Sequence, residues 1–251
     1  MELKRTGQPG EPTRQHLRLL IMARYAICAA VFLARFSVNS AEPWQSALEG
    51  MPLGAKVAEL NRTNCVGIML TAFQSNAVVK ALIFMPGATD EFYMFRRARA
   101  NLTNPSPTLL DAVSALTNQT FIRATFLPPL LLLHTDEDPI DPLIEVEHQP
   151  TASKLKQARF LPHAIYNDRD WDAVQPNLKK TLKIDVRPWR YSQDSWHFYR
   201  HSFAEWGLNG WEALEAAAFA GKTSFTIQRK RAVFRVDGRV RSVPELDAFP
   251  Y

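Results

Sequence analysis

Glycine is scarce in this chain, 10 residues in 251 against 17 prolines, and there are only 2 cysteines. So little glycine excludes a collagen-like repeat, and so few cysteines exclude a disulfide scaffold. With 46% hydrophobic and 22% charged residues, the composition also excludes a disordered chain. No charge-free apolar run approaches the ~18 residues of a membrane-spanning helix, so a polytopic membrane protein is excluded. No Gly-x-Ser-x-Gly, phosphate-cradling glycine loop or Cys–His nucleophile pattern occurs, which shifts the reading away from an enzyme. The length suits one or two domains.

What the chain does have begins with residues 25–34, an apolar run between Arg24 and Arg35. As a helix this run would rise ~15 Å, about half of a ~30 Å hydrocarbon core. It fits the h-region of a secretory signal, with an uncleaved membrane anchor and a buried helix as the alternatives. Val38 and Ser40 precede Ala41 in the small-residue pattern of a signal-peptidase site, and cutting after Ala41 is nearly as good. Residues 1–41 are therefore expected to be a signal peptide, with Met22 a candidate true start. Cys28 lies inside the run and follows Ile27, so it is not a lipobox cysteine. The expected location is periplasmic or extracellular, or membrane-anchored if the segment is retained.

Residues 1–41 carry six Lys/Arg and two acids, so the formal charge of +5 falls to +1 beyond them. The basic balance is no argument for nucleic-acid binding. The rest of the charge is uneven. Residues 42–151 sum to −5 and residues 152–251 to +6, which allows self-association between oppositely charged halves. Cys65 opens the apolar run Cys65–Leu70 and reads as a small buried hydrophobe. Sequons at Asn61, Asn101 and Asn118 bear only on a eukaryotic secretory route.

The expected fold class is α+β, built from two similar small modules at 42–150 and 151–251 behind the N-terminal segment. Each module would run helix, strand, strand, helix, strand, strand. In the first, a helix is predicted at Leu53–Leu60 and strands at Val66–Phe73 and Phe92–Leu102. A second helix at Thr108–Thr117 follows, with Leu109, Ala112, Val113 and Leu116 on one face. Strands at Phe121–Phe126 and Leu130–His134 complete it. In the second, the order is helix Trp171–Lys180, strand Leu182–Trp189, extended Trp196–Phe203 and helix Trp211–Ala220 stopped by Gly221. Strands Thr223–Gln228 and Arg231–Val236 follow, with Arg229-Lys230 as the turn. Leu102-Thr103-Asn104 answers Leu208-Asn209-Gly210, and Phe92-Tyr93 answers Phe198-Tyr199, at an offset of 106. The offset shrinks to 103 where Leu116–Thr120 answers Phe219–Thr223. The acidic, proline-rich stretch from His134 to Leu155 reads as a connector.

Ala112-Val113 with Gln119-Thr120, and Ala213-Leu214 with Gly221-Lys222-Thr223, carry a resemblance to a family. The chain resembles the short N-terminal domain of secretins and TonB-dependent proteins, in which a short helix with a terminal stop precedes a two-stranded hairpin. The first helix lacks the family's terminal glycine. The resemblance implies an envelope interaction module without catalytic residues or cofactor, and an envelope protein as partner.

Several residue groups carry chemical alternatives. His197 and His201 with Glu205 have i, i+4, i+8 spacing, which on a helix would line one face and could hold zinc. On a strand His197 and His201 would instead share a face two steps apart. Asp136, Glu137, Asp138 and Asp141 could attract calcium, although Pro139 and Pro142 break the spacing of an EF-hand loop. Asp168, Asp170 and Asp172 flank Trp171 as a glycosidase pair would, yet Asp170 and Asp172 equally suit the start of a helix. The hydrolase alternative therefore rests on Asp170, Asp172, His197 and His201. The aromatic stretch from Trp189 to Trp211 offers Trp189, Tyr191 and Trp206 as binding residues, against core packing as the plainer account. No metal site is expected.

Overall fold

A computed structural model describes residues 42–54, 56–61, 63–85, 99–135, 141–159, 163–188 and 201–236. The N-terminal segment, with its proposed signal helix, lies outside the described residues. So do His197, Trp189, Tyr191, Phe92-Tyr93 and Asp136–Ile140.

Local signals start the helices. Helix α1 (Pro43–Glu49) has proline in its first turn and Glu42 as N-cap. After the short strand β1 (Glu59–Leu60), Asn64 accepts from the Asn61 amide and donates to the Glu59 carbonyl, and this turn opens α2 (Cys65–Ala72). Strands β2 (Ala81–Phe84) and β3 (Ala100–Asn101) follow. Helix α3 (Leu109–Gln119) opens on a reciprocal cap between Thr108 and Asp111. Strands β4 (Arg123–Leu127) and β5 (Leu130–His134) form a hairpin across Pro128-Pro129.

The rest of the described chain holds β6 (Ile144–Val146), α4 (Gln149–Gln157), β7 (Ala164–Arg169), α5 (Trp171–Leu182) and β8 (Asp185–Pro188). It ends with β9 (His201–Glu205), α6 (Gly210–Ala220), β10 (Thr223–Gln228) and β11 (Arg231–Val236). Asn209 and Glu212 cap α6 as Thr108 and Asp111 cap α3.

The fold is α+β. A five-stranded sheet runs β4-β5-β2-β9-β7 and a four-stranded sheet runs β6-β10-β11-β8. The larger sheet is covered on both faces. Ile83, Leu130, Leu132 and Phe203 join one core with α5, α6 and the smaller sheet. Leu82, Phe84, Leu131, Leu133 and Ala204 join another with α1, α2 and α3. Burial on both faces is why β5 reads Leu-Leu-Leu-Leu instead of alternating.

One pairing pattern occurs twice. β1 pairs antiparallel with β3, as β7 does with β9. The β4–β5 and β10–β11 hairpins each lay their second strand parallel to an earlier one, β5 on β2 and β11 on β8. Two isolated bridges, Pro52–Thr108 and Arg159–Asn209, tie the segment after α1 to the cap of α3 and the segment after α4 to the cap of α6.

The two segments are not separate bodies. Residues 42–251 cluster as one compact unit, and β9 completes the sheet begun by β2 and β5. The position of residue 150 falls inside α4, and the connector contributes β6 to the smaller sheet. Two local expectations are corrected. Val66–Phe73, predicted as a strand, falls in helix α2 with Phe73 as its C-cap, and Leu53–Leu60, predicted as a helix, holds only the short strand β1 among its described residues. An eight-residue apolar run has no periodicity to choose between helix and strand, and here tertiary burial chose.

Candidate functional site

The hairpin geometry of β4 fixes which of its backbone groups are spoken for. Leu127–Leu130 closes the turn, so Arg123, Thr125 and Leu127 exchange hydrogen bonds with β5. Ala124 and Phe126 then turn their N–H and C=O groups outward, in the sheet plane. Among the described residues no strand pairs with that outer edge. β4 is a five-residue strand in continuous register, and Phe121, just before it, is 88% exposed.

The corresponding edge in the smaller sheet is occupied. β10–β11 closes with Gln228–Arg231, so Phe225, Thr226 and Ile227 hold the places of Ala124, Thr125 and Phe126. Strand β6 runs parallel to them, with Ile144, Glu145 and Val146 opposite Phe225, Thr226 and Ile227. The Phe225 amide donates to the Leu143 carbonyl at 3.1 Å, and the Glu147 amide to the Ile227 carbonyl at 2.9 Å. The Glu145 carboxylate accepts from the Thr226 hydroxyl at 3.0 Å and from Arg235 at 2.6 Å. These bonds hold its pKa below the usual carboxylate range, Arg235 contributing most.

Two of the other edges are defended. On β8, Gln175 donates its side-chain amide to the Val186 carbonyl, and Pro188 has no N–H to offer. β7 is broken by a register shift between Tyr166 and Arg169, with Asp168 at φ 51°.

Away from the edges, β9 carries a buried carboxyl. Glu205 lies between Ala81 and Ala164, fully buried, with no described hydrogen-bond partner at either oxygen. Burial raises its pKa well above the usual value. The nearby Tyr166 hydroxyl is pushed up to about 12, first by burial and then by the Glu205 charge, while Asn177 opposes. A cleft of about 460 Å³ opens beside Tyr166 between β7 and α5, lined also by His163, Asn177, Lys180 and Thr181. Among the described residues no carboxylate lines it.

The residues singled out from the sequence fall as follows. Asp170 is the N-cap of α5 and accepts from the Ala173 amide at 3.1 Å, and Asp172 sits exposed in the first turn. His201 is buried, its ring 5.5 Å from Trp171 and pressed against Gly221. β9 is a strand, so the helical spacing assumed for a zinc site is absent. His201 and Glu205 share one face but lie about 13 Å apart along it. No group of three metal-ligating side chains occurs among the described residues. Trp206 is half-buried, with His163 edge-on at 4.1 Å. Trp211 packs edge-on to Phe225 beneath the Lys156 ammonium.

Sequence reasoning did not single out Ala124, Thr125 and Phe126, because nothing local says that a strand is an edge. The chain matches no protein-family model, no curated protein and no solved structure.

Proposed function

We propose that this chain is an exported, non-enzymatic α+β protein of two related modules that works by protein–protein contact in the cell envelope. The observation that carries this reading is the outer edge of β4, with which no strand pairs among the described residues, beside the exposed Phe121 ring. An unpaired row of amides and carbonyls is a template for another chain. The helix-then-hairpin order at α3–β4–β5 and at α6–β10–β11, together with the twofold pairing pattern, supports the family resemblance and a duplicated module. The short apolar run at residues 25–34, between Arg24 and Arg35, supports export.

The hydrolase alternative gains little. Asp170 is engaged as a cap, His201 is packed in the core, and the cleft collects no acid pair. The test is site-specific photo-crosslinking. A photoreactive residue replaces Phe121 in the full chain, which is expressed with its leader and mixed with envelope fractions. Saturable capture of one protein, competed by unlabelled chain, is expected. Catalytic turnover by the purified chain, with no crosslinked partner, would overturn the reading.

A further inference from the structure

We propose that the end of the smaller sheet, where α5 stops and the β10–β11 hairpin turns, is a docking surface for an anionic lipid bilayer. The inference goes beyond the interaction reading and does not depend on it.

The surface is assembled around Asp185, the first residue of β8. Its carboxylate lies 3.4 Å from the Lys179 ammonium and 3.5 Å from Nε of Arg231, and accepts from Nε of Arg187 at 2.8 Å. Its amide donates to the Lys230 carbonyl at 3.0 Å, which brings the Arg229-Lys230 turn beside it. Lys183 stands two residues before it, at the C-cap of α5. Six cations therefore gather at one carboxylate. Glu147, one residue past the pairing of Val146 with Ile227, is a second acid at this end, so an excess of four positive charges remains. Asp170 and Asp172 stand at the other end of α5, about 15 Å along its axis. Glu145 is engaged by Arg235.

The excess is available. Lys183, Arg229 and Lys230 are exposed, and among the described residues their side-chain cations have no hydrogen bond or ion pair. Helix α5 accounts for part of the charge, because cations in a last turn offset the negative end of the helix. It does not account for the hairpin turn. Lys183 at φ 52° and Lys230 at φ 56° hold left-handed backbone, which glycine or asparagine fills with less strain. Charge is kept at two places where local geometry favours other residues.

The form of the surface selects the partner. Phe121, Leu143 and Ile165, the large exposed apolar side chains among the described residues, lie on other elements. Protein partners are held by buried aromatic or apolar anchors, and this end presents none of these. A bilayer of anionic lipids is a broad negative surface that attracts exposed lysines and arginines without such an anchor.

The experiment sediments the full chain with vesicles of phosphatidylcholine, alone or with about 30% phosphatidylglycerol. Residues 1–41 are the same in every variant, so their own affinity for lipid cancels in the comparison. At low salt the anionic vesicles should bind the chain about tenfold more tightly than the neutral ones, and about 0.5 M NaCl should remove the difference. Arg229→Glu combined with Lys230→Glu should weaken binding to the anionic vesicles about tenfold. Lys56→Glu combined with Arg99→Glu makes the same change in net charge at exposed positions flanking the β1–β3 pair, and should weaken it no more than about twofold. Lys183→Glu, on a different element, should weaken binding about threefold by itself, which keeps the inference falsifiable if the turn variant fails to fold. Asp185→Asn should strengthen binding. Acetylation of lysines, read by mass spectrometry, should be slowed by anionic vesicles at Lys183 and Lys230 and unchanged at Lys56.

An equal loss of binding in the two double variants would overturn the inference, since net charge alone would then be felt. So would binding that phosphatidylglycerol does not improve, or acetylation of Lys183 and Lys230 that bound vesicles do not slow. Soluble polyglutamate that binds more tightly, charge for charge, than the vesicles would assign the surface to an acidic polypeptide and overturn the inference as well.

Discussion

Replacing Glu205 by glutamine should make the protein more stable at neutral pH, and the gain should grow with pH. Glu205 lies on β9 between β2 and β7 of the five-stranded sheet, fully buried, with no described donor at its oxygens. Burial holds its pKa well above the 4.5 of a free glutamate, so it folds as the neutral acid. The unfolded chain exposes it and ionises it. Below 4.5 both states are neutral and the full stability is present. As pH rises the unfolded state alone releases a proton, and stability is lost until the folded carboxyl ionises too. Each pH unit in that window costs about 1.4 kcal/mol. Against a typical stability of about 5–15 kcal/mol, two units are easily read. Urea unfolding of the parent chain and of Glu205→Gln, at intervals from pH 4 to pH 8, is the assay. The two midpoints should lie close together at pH 4 and diverge steadily above pH 5. Other titrating groups act on both proteins and cancel in the difference. Midpoints that stay a constant distance apart across this range would refute a neutral buried acid.

Further outcomes follow from single contacts. A Cβ on Gly221 would stand 2.5 Å from His201 Nε2, so Gly221→Ala should cost about 1–3 kcal/mol by thermal melting, although the backbone there suits alanine. Cys65 is buried and its thiol is pushed up to about 12 by that burial, so iodoacetamide should label it only in urea. Asp170→Ala should lose a helix cap, about 1 kcal/mol of stability, and leave capture by position 121 unchanged. Thr108→Ala and Asn209→Ala should cost similar amounts, since each removes one half of a reciprocal cap.

The two hairpins and the helices before them were legible because their signals are local. Strands Thr223–Gln228 and Arg231–Val236 stand where the sequence placed them, and helix α6 begins one residue earlier than expected. A cap, a periodic apolar face and a turn dipeptide act within ten or so residues, so the chain carries them wherever it folds. The β4–β5 and β10–β11 hairpins stand 101 residues apart, whereas the short motifs matched at offsets of 103 to 106.

Other features were settled only by the packed structure. Whether Cys65–Ala72 coils or extends depended on the core that buries Cys65, Met69, Leu70 and Ala72. Whether His201 was a ligand or a packing residue depended on Gly221, which lies beside it in space but twenty residues on. Glu205 became a buried acid because β2 and β7 close over β9 from distant parts of the chain. By itself the sequence determined the elements whose energy is decided by neighbours along the chain. Tertiary structure alone decided which strands pair and which lie at the edges of the described sheets, because pairing is a relation between segments and no segment carries it.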